Sequence, residues 1–390
     1  MFDNVALLAG GPEVLEARPV RAFDEGVLNL LSDVSARLLK DPEACALPDV
    51  VSFAFWCRKA NLARLAQGYS DASHRIGRGI AFHIAPSNVP VNFAFSWAFS
   101  QIAGNVDIVR VPSKPFIQVE VICRAVKASL DCASAARSAF IRYPVGDAAT
   151  GRLSEISDAR IIWGGDTTVA EVRALPCAPR CIDVVFPDRY SVALIDESAL
   201  ACLDDRAIED LAGKFYNDTY LMDQNACSSP RTIFWLGSDP LLRDRLREAV
   251  RAKAKVSYGL QGAVSVDKYV RLCEDAAAGL VCQRVSFDGC LTAVPLGNLP
   301  DDFSELRGYG GFFYEAEADS IGRALEVLGP KCQTVTYFGI DPEEVRKTAI
   351  EAGCSGVDRI VPVGKAMDIG AVWDGYDLPL VLSRVMEVVG

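Results

Sequence analysis

Hydrophobic residues recur along this chain with two alternating periods. After an irregular start, apolar positions three to four residues apart predict a helix whose N-cap is Asp24. The apolar positions of this helix are Val27, Leu30, Leu31, Val34 and Leu38. Similar spacing from about residue 49 to residue 67 predicts one further helix.

From residue 79 onward, short apolar runs alternate with helical patterns. The predicted strands cover residues 79–85, 106–111, 140–143, 159–163, 191–195, 334–338 and 359–362. Helical patterns separate these strands. The first of these predicted helices ends at residue 104, and the others cover residues 115–130, 167–175, 239–256 and 342–352. This alternation predicts an α/β protein with two doubly wound, Rossmann-type domains. We expect a first domain at 1–192, a second at 193–365, and a C-terminal segment, 366–390, that packs back on the first domain.

Composition narrows the classes of protein. The chain has 390 residues, half of them hydrophobic, which is enough to bury the cores of two domains. No long apolar run is free of charge, and acidic residues occur near the start, so we expect no membrane span, no signal peptide and a cytoplasmic location. A formal charge of −11 without any block of Lys or Arg argues against a nucleic-acid partner.

The 13 cysteines and two histidines carry information of their own. The cysteines are scattered, odd in number and without a Cys-x-x-Cys pair, which is typical of reduced thiols in a chain of this size. So few histidines leave little for a metal site, and we expect none. Any reactive cysteine must be activated without imidazole, or by His83, and the sequence leaves open whether His83 reaches it.

The candidate nucleophile is Cys227. It lies among small and amide-bearing residues at 222–231, directly before a strand-like run at 232–236, where a side chain can be presented at the mouth of a cleft. Taken alone, one cysteine among 13 is more often a small buried hydrophobe than a nucleophile. The interpretation therefore depends on residues elsewhere in the chain.

Two turns after predicted strands add polar groups. Asn88 lies between Pro86 and Pro90, where a rigid turn can aim its amide into the crevice at the carboxyl edge of the sheet, although asparagine is also ordinary turn chemistry. The segment 164–168 joins a strand to a helix, and free backbone N–H groups there favour a phosphate. The alternative is a plain helix with Asp166 as its N-cap.

The order of these segments resembles the aldehyde dehydrogenase superfamily, and within it the fatty acyl-CoA reductase (LuxC) family. Residues 83–90, His-Ile-Ala-Pro-Ser-Asn-Val-Pro, and 103–113, Ala-Gly-Asn-Val-Asp-Ile-Val-Arg-Val-Pro-Ser, are similar to two superfamily segments. Residues 163–166, Trp-Gly-Gly-Asp, resemble its phosphate-binding turn, and 223–230, Asp-Gln-Asn-Ala-Cys-Ser-Ser-Pro, resemble the reductase cysteine motif. Arg359 with Gly364, and residues 373–376, resemble that family's C-terminal pattern, so the likeness extends from about residue 76 to the end.

The resemblance implies an aldehyde-dehydrogenase-like fold with the active site in a cleft between a cofactor-binding domain, 1–192, and a catalytic domain, 193–365. Cys227 is then the nucleophile, and Asn88 with the Cys227 backbone N–H stabilises the oxyanion. Gly165, Asp166 and Thr167 form the phosphate-binding turn. Glu305 matches, loosely, the glutamate that holds the nicotinamide ribose, and a surface carboxylate is the alternative.

Cofactor preference follows from three positions near residue 110. Arg110 falls where the superfamily has a lysine at the adenosine ribose, and Ser113 stands where members that prefer NAD often have a glutamate. A serine removes a repelling carboxylate, and Arg110 and Lys114 can pair with a 2′-phosphate. The resemblance therefore favours NADPH (NADP) over NADH.

One departure bears on the reaction. Oxidative superfamily members carry a glutamate that activates water, and the aligned position here is Val185. Without that base, the resemblance implies reduction of an acyl thioester such as acyl-CoA to an aldehyde through a thioacyl-cysteine, with no metal. The alternatives are an NAD(P)-dependent aldehyde dehydrogenase, a thioester acyltransferase, or a non-catalytic partner of an acyl-activating enzyme. We also expect a homo-oligomer, and an acyl-protein synthetase is a possible partner for acyl delivery.

Overall fold

The structure is a computed structural model that describes residues 5–86, 89–130, 136–281 and 285–390. Contacts within the chain divide it into two units. The first unit consists of Met1–Pro187 and Ile369–Gly390, and the second unit consists of Asp188–Asp368. Both units are α/β, which confirms the predicted fold class.

The first helices of the first unit follow the apolar spacing, with one correction. Helix α1 (Glu25–Leu38) begins after Asp24, whose carboxylate accepts a hydrogen bond from the Gly26 N–H at 2.9 Å, as predicted. The single helix predicted over 49–67 is wrong: α3 (Pro48–Trp56) follows the short α2 (Pro42–Cys45) and is separate from α4 (Lys59–Gln67). Extended backbone at Arg58 breaks the helix, while apolar residues continue on both sides and hide the break.

The strands of the first unit form one six-stranded sheet and one short pairing. They are β1 (Ala6–Gly10), β2 (Arg75–Gly77), β3 (Ile80–Ile84), β4 (Val106–Arg110), β5 (Ser138–Arg142), β6 (Ala159–Trp163) and β7 (Ile182–Phe186). The remaining helices are α5 (Asn92–Ala103), α6 (Ile117–Ser129), α7 (Ala149–Glu155) and α8 (Asp166–Arg173). The start of the chain was predicted to be irregular, but it contains β1, which pairs antiparallel with β5 across a register shift and is partly exposed.

The order of the first sheet is β1-β5-β4-β3-β6-β7, and all neighbours except β1 and β5 are parallel. The chain winds outward from β3 through β4 to β5, then crosses to β6 and β7. This is the doubly wound arrangement, with its switch point between β3 and β6. Ligands bind at the carboxyl edge of such a point, which is where the segments after β3, β4 and β6 lie.

The second unit has its own sheet. Its strands are β8 (Tyr190–Asp196), β9 (Pro230–Leu236), β10 (Ser286–Phe287), β11 (Thr292–Pro295), β12 (Phe312–Ala318), β13 (Cys332–Phe338) and β14 (Arg359–Pro362). Its helices are α9 (Glu197–Ala201), α10 (Asp205–Thr219), α11 (Pro240–Ser257), α12 (Gly262–Ala277), α13 (Ile321–Glu326) and α14 (Pro342–Glu351). The sheet order is β10-β11-β12-β9-β8-β13-β14, with only the β10 pair antiparallel.

The C-terminal segment belongs to the first unit. It contains the β15 (Val372–Trp373) and β16 (Tyr376–Asp377) pair, α15 (Leu378–Val381) and β17 (Ser383–Val385). Strand β17 pairs antiparallel with β2, with Arg384 opposite Ile76. Asn105 ties this segment to the sheet, because its amide donates to the Leu382 carbonyl at 2.9 Å while its oxygen accepts from the Arg78 N–H at 2.7 Å.

Candidate active site

Three of the predicted cofactor residues cluster at the end of β4. The Arg110 guanidinium is buried, donates to the Ser113 hydroxyl at 3.1 Å and lies over the Tyr143 ring at 4.9 Å. Ser113 donates in turn to the Tyr143 carbonyl at 3.1 Å, and Lys114 is exposed beside it. Arg110 Nε is buried with no hydrogen-bond partner in the described part of the chain. This cluster presents a fixed cation beside a hydroxyl and a solvent-facing amine.

The predicted phosphate-binding turn follows β6. Gly165 is the N-cap of α8, with extended backbone (φ −63°, ψ 164°), and no side chain caps the helix. Asp166 is therefore the first residue of the helix, and the alternative with Asp166 as N-cap is wrong. At Gly164 a Cβ atom would lie 2.9 Å from the Thr168 side chain, so the turn approaches the helix too closely for any other residue without a shift. A helix start without a side-chain cap suits an anionic ligand.

Two sequence candidates for the cysteine chemistry lie in or next to β3. Asn88 lies outside the described residues, in the segment that links β3 to α5. His83 is fully buried, and both of its ring nitrogens are engaged, with the Ser96 hydroxyl at 2.7 Å and Asp107 at 2.9 Å. A ring held in this way within the first unit is unsuited to take a proton from a cysteine.

Cys227 is exposed in the loop that leads into β9, at the amino edge of the second sheet. Gln224 holds this loop. Its fully buried amide donates to the carbonyls of Pro230 (2.9 Å) and Phe312 (3.1 Å), and its oxygen accepts from the N–H groups of Gly311 (3.1 Å) and Phe312 (3.2 Å). All four hydrogen bonds of the Gln224 side chain are to backbone groups at the starts of β9 and β12, so they fix the loop to the sheet.

The backbone around Gln224 adopts an uncommon conformation. Asp223 and Gln224 both have left-handed φ angles, 51° and 60°, which non-glycine residues rarely adopt. The Asp223 carboxylate accepts from the Tyr258 hydroxyl at 2.8 Å, and the Asp223 carbonyl accepts from the Gly310 N–H at 3.0 Å. These contacts stabilise a turn that aims the next residues away from the sheet.

A second set of hydrogen bonds fixes the backbone of Cys227 itself. The buried Ser191 hydroxyl, at the start of β8, donates to the Cys227 carbonyl at 2.6 Å and accepts from the Thr334 N–H at 3.1 Å. Three neighbouring strands, β9, β8 and β13, therefore share hydrogen bonds at the point where Cys227 is held.

Arg231 supplies positive charge near the thiol. Burial lowers the pKa of its guanidinium, whereas the charge of Cys227 raises it. The Arg231 side chain forms no ion pair with any residue that the structure describes, and its Nε is buried without a hydrogen-bond partner. The carboxylate of Asp188 also acts on this guanidinium, but more weakly than Cys227 does. A desolvated guanidinium stabilises a neighbouring thiolate.

The remaining predicted residues lie as follows. Glu305 ends the 3₁₀ turn Phe303–Glu305 ahead of β12; its carboxylate is exposed, and its carbonyl accepts from Arg271 at 3.0 Å. Thr167 is exposed in the first turn of α8. Val185 lies in edge strand β7, half-buried against the first-unit core, and brings no carboxylate there.

Two kinds of feature are absent from the described residues. No group of three or more His, Cys, Asp or Glu side chains is placed to hold a metal ion in the part of the chain that the structure covers. Among the same residues, no helix is long and apolar enough to cross a membrane.

Sequence reasoning missed Gln224, Ser191 and Arg231 as parts of the site. Gln224 and Arg231 flank Cys227 within four residues, so proximity alone could have suggested them. Ser191 is 36 residues away from Cys227 and carries no local signal.

Solved structures that resemble this chain include aldehyde dehydrogenases and proline utilization A proteins. An NAD-dependent benzaldehyde dehydrogenase from Corynebacterium glutamicum is 11% identical, with 92% of this chain and 82% of that chain covered and a TM-score of 0.59. Aldehyde dehydrogenase 21 from Physcomitrella patens, in complex with succinate, is 13% identical over 88% and 78%, with a TM-score of 0.61. Proline utilization A from Corynebacterium freiburgense is 16% identical over 97% and 43%, with a TM-score of 0.63. The two-unit architecture is therefore of the aldehyde dehydrogenase class.

A family model narrows this class. The model for acyl-CoA reductase (LuxC) matches residues 45–257, which is more than half of the chain and includes Cys227. The chain belongs to the acyl-CoA reductase (LuxC) family, as the sequence motifs predicted. Family and fold together support an oxidoreductase that forms an aldehyde from an acyl substrate. No curated protein sequence matches the chain.

Proposed function

We propose that this protein reduces an acyl thioester, such as acyl-CoA, to an aldehyde with NADPH, through a thioacyl intermediate on Cys227. The observation that carries the proposal is an exposed cysteine in a loop fixed by the buried Gln224 amide, with the guanidinium of Arg231 nearby. Exposure admits a substrate, fixation orients the sulfur, and the cation favours the thiolate.

The cysteine chemistry divides into two stages. The Cys227 thiolate attacks the thioester carbonyl, the electron pair moves to the carbonyl oxygen, and collapse expels the coenzyme A thiolate to leave a thioacyl enzyme. Asn88 and the Cys227 N–H are the proposed donors to the oxyanion. Bound NADPH supplies a hydride to the thioacyl carbon. The thiohemiacetal that results releases the aldehyde and regenerates the Cys227 thiolate.

The cofactor assignment rests on the first unit. That two structural neighbours are NAD-dependent supports a nicotinamide cofactor here. The Arg110, Ser113 and Lys114 cluster offers cations and no carboxylate, which suits a 2′-phosphate and favours NADPH. Gly165, Asp166 and Thr167 begin an α8 helix without a side-chain cap and are the proposed contacts of the pyrophosphate, and Glu305 is proposed to hold the nicotinamide ribose.

The absence of a carboxylate at Val185 supports reduction over oxidation. A valine cannot activate water, so hydrolysis of the thioacyl enzyme should be slow and hydride transfer can compete. We further propose that the first unit binds the cofactor, that the second unit carries out the cysteine chemistry, that the protein is a homo-oligomer, and that an acyl-activating partner can deliver the acyl group.

The decisive experiment is acylation of the purified protein with a radiolabelled acyl-CoA, with and without NADPH. Wild type should form a labelled thioester on Cys227 and convert it to aldehyde only when NADPH is present. Cys227→Ala should form neither, yet bind NADPH with unchanged affinity. Cys202→Ala is the matched control, because Cys202 is also exposed in the second unit but lies at the C-terminus of a short helix.

Each alternative gives a different result. Acyl transfer or hydrolysis without nucleotide would identify an acyltransferase or thioesterase. Rapid oxidation of aldehydes to acids would identify an ordinary aldehyde dehydrogenase. No acylation at Cys227 at all would refute the proposed intermediate.

A further inference from the structure

Four arginines gather at one place in the first unit, away from the predicted cofactor residues. Strand β2 begins at Arg75, strand β17 carries Arg384, and their pairing sets Val385 opposite Arg75 and Arg384 opposite Ile76. Arg75 Nη2 donates to the Leu380 carbonyl at 3.4 Å and Arg78 Nε donates to the Val381 carbonyl at 2.7 Å. Bonds to consecutive carbonyls hold these two guanidinium groups side by side.

The fourth arginine comes from the loop before β7. Arg180 lies two residues before β7, as Arg78 lies two residues before β3. Strands β3, β6 and β7 are parallel neighbours, so both arginines lie at the amino edge of the sheet, roughly 10 Å apart at two strand spacings. Burial lowers the pKa of Arg78, and the charges of Arg180, Arg75 and Arg384 lower it further.

This arginine cluster is only partly neutralised. Asp158 directly precedes β6, the strand between β3 and β7, and its carboxylate accepts from the Ile80 N–H at 2.9 Å. Arg75 faces Asp71 at 3.7 Å, a long and half-exposed contact. Within the described residues, Arg78, Arg180 and Arg384 form no ion pair, although the chain carries a net charge of −11 and most of its other arginines have carboxylate partners. Mutually repelling guanidinium groups, two of them held by backbone carbonyls, form a fixed positive site that an anion would stabilise.

We propose that Arg75, Arg78, Arg180 and Arg384 form a binding site for a phosphate-bearing anion. Guanidinium groups bind phosphate oxygens through paired N–H donors, and several of them within reach of one another suit a compact, multiply charged group. The ligand is either a free phosphate or pyrophosphate, or the phosphate portion of a larger molecule such as coenzyme A. The site lies at the amino edge of the sheet, whereas the proposed cofactor residues lie at its carboxyl edge, so it is a separate site and does not depend on the proposed reaction.

The test is isothermal titration calorimetry with pyrophosphate at low ionic strength. The main variant is the double substitution Arg180→Gln and Arg384→Gln, because neither side chain donates a hydrogen bond to any residue in the described part of the chain and the fold should tolerate both changes. Affinity for pyrophosphate should fall about tenfold or more, as expected for the loss of charged hydrogen bonds. The charge-matched control is Arg37→Gln with Arg346→Gln, since both of these exposed arginines are paired with carboxylates on their own helices.

Further measurements distinguish the arginine cluster from the proposed cofactor site, and a free anion from the phosphate of a larger ligand. Arg110→Gln alters the proposed cofactor site and should leave pyrophosphate binding at the arginine cluster intact. In the double variant, a larger loss of affinity for coenzyme A than for dephospho-coenzyme A indicates that the site binds the 3′-phosphate of a larger ligand. A loss of affinity for pyrophosphate, with no loss for either form of coenzyme A, indicates that the site binds the free anion. No pyrophosphate binding by wild type, or unchanged affinity in the double variant with a normal melting temperature, would overturn the proposal.

Discussion

The two parallel sheets present their candidate residues at opposite edges. In the first sheet, the Arg110 cluster follows β4 and the Gly165 turn follows β6, so both lie at the carboxyl edge. In the second sheet, Cys227 precedes β9 and its ties are to the first residues of β8 and β12, so the cysteine lies at the amino edge. The same class of sheet therefore supports its chemistry in two different ways.

The difference has a physical origin in helix direction. At a carboxyl edge the chain enters the next helix, whose N-terminal N–H groups favour an anion with little help from side chains. At an amino edge the chain leaves a helix, here α10, which ends at Thr219, and Cys227 leads into a strand rather than into a helix N-terminus that could stabilise a thiolate. The second unit therefore needs side chains, with Gln224 to fix the loop and Arg231 to supply charge.

The substitution with the largest expected effect is Gln224→Leu, which tests whether side chains hold Cys227 in place at the amino edge of the second sheet. The substitution leaves two N–H groups and two carbonyls without the amide that joins them, which should cost about 3 kcal/mol of unfolding free energy and displace Cys227. Aldehyde formation should fall about 100-fold or more, because a misplaced nucleophile loses its alignment. Turnover and NADPH affinity are the measurements, and NADPH affinity should be retained.

Gln118→Leu is the matched control for this change. Gln118 makes one side-chain hydrogen bond, to Asp49 at 3.2 Å, in the first unit. It should lose little activity. Equal losses in both variants would mean that the Gln224 network has no special part in holding Cys227.

At the carboxyl edge of the first sheet, Ser113→Glu should exchange cofactor preference. The new carboxylate repels a 2′-phosphate, competes for Arg110 and can accept from a ribose hydroxyl, so NADPH should weaken at least about tenfold while NADH improves. Fluorescence titration of both nucleotides measures the change. Ser113→Ala removes the hydroxyl without adding charge and should shift the ratio much less; an unaltered ratio in Ser113→Glu would place the 2′-position elsewhere.

Arg231→Gln tests whether a side-chain cation stabilises the Cys227 thiolate at the amino edge of the second sheet. Loss of the cation removes stabilisation of the thiolate, so the pH midpoint for alkylation of Cys227 should rise by about one unit. Mass spectrometry of the Cys227 peptide after timed exposure to iodoacetamide separates it from the other thiols. Arg245→Gln, in the same unit and paired with exposed Asp205, should leave the midpoint unchanged. A midpoint that is the same in both variants would show that Arg231 does not act on the thiol.

The last prediction concerns stability alone, at the residue that supports the Cys227 loop from behind. Lys268 Nζ donates to the carbonyls of Gly289 (3.1 Å) and Gly310 (3.0 Å), and burial lowers the pKa of Lys268 from 10.5 to about 8. Between pH 8 and pH 10.5 the unfolded state therefore holds the Lys268 proton more tightly than the folded state does, so the unfolding free energy rises as pH rises from 8 to 10.5 and is lowest below pH 8.

The stability of Lys268→Met should lack this component. The difference in unfolding free energy between wild type and Lys268→Met should therefore change by about 1 to 2 kcal/mol in favour of wild type between pH 8 and pH 10, as measured by urea titration at several pH values. Lys255→Met, a more exposed lysine near Asp288, is the control. Parallel pH profiles for wild type and Lys268→Met would contradict the assigned pKa.

Local patterns were sufficient for some features. The Asp24 cap, the alternation of strands and helices, and the motif around Cys227 are encoded within a few residues each, and they led to the correct fold class and family. Local patterns failed where the residues on both sides of a boundary had similar spacing, or where a strand had no clear alternation of apolar and polar residues. Apolar spacing ran through the break at Arg58, and the partly exposed edge strand Ala6–Gly10 lacked a strong alternating pattern.

The sequence by itself determined which residues have reactive or charged side chains and which segments become strands or helices, because those properties depend on near neighbours. Only the tertiary structure decided what surrounds Cys227. Gln224 binds Gly311 and Phe312, 87 and 88 residues away, and Ser191 joins Cys227 to a strand start near Thr334. Pairings at such separations arise from the order of strands in the sheet, and one sequence read along its length contains no record of that order.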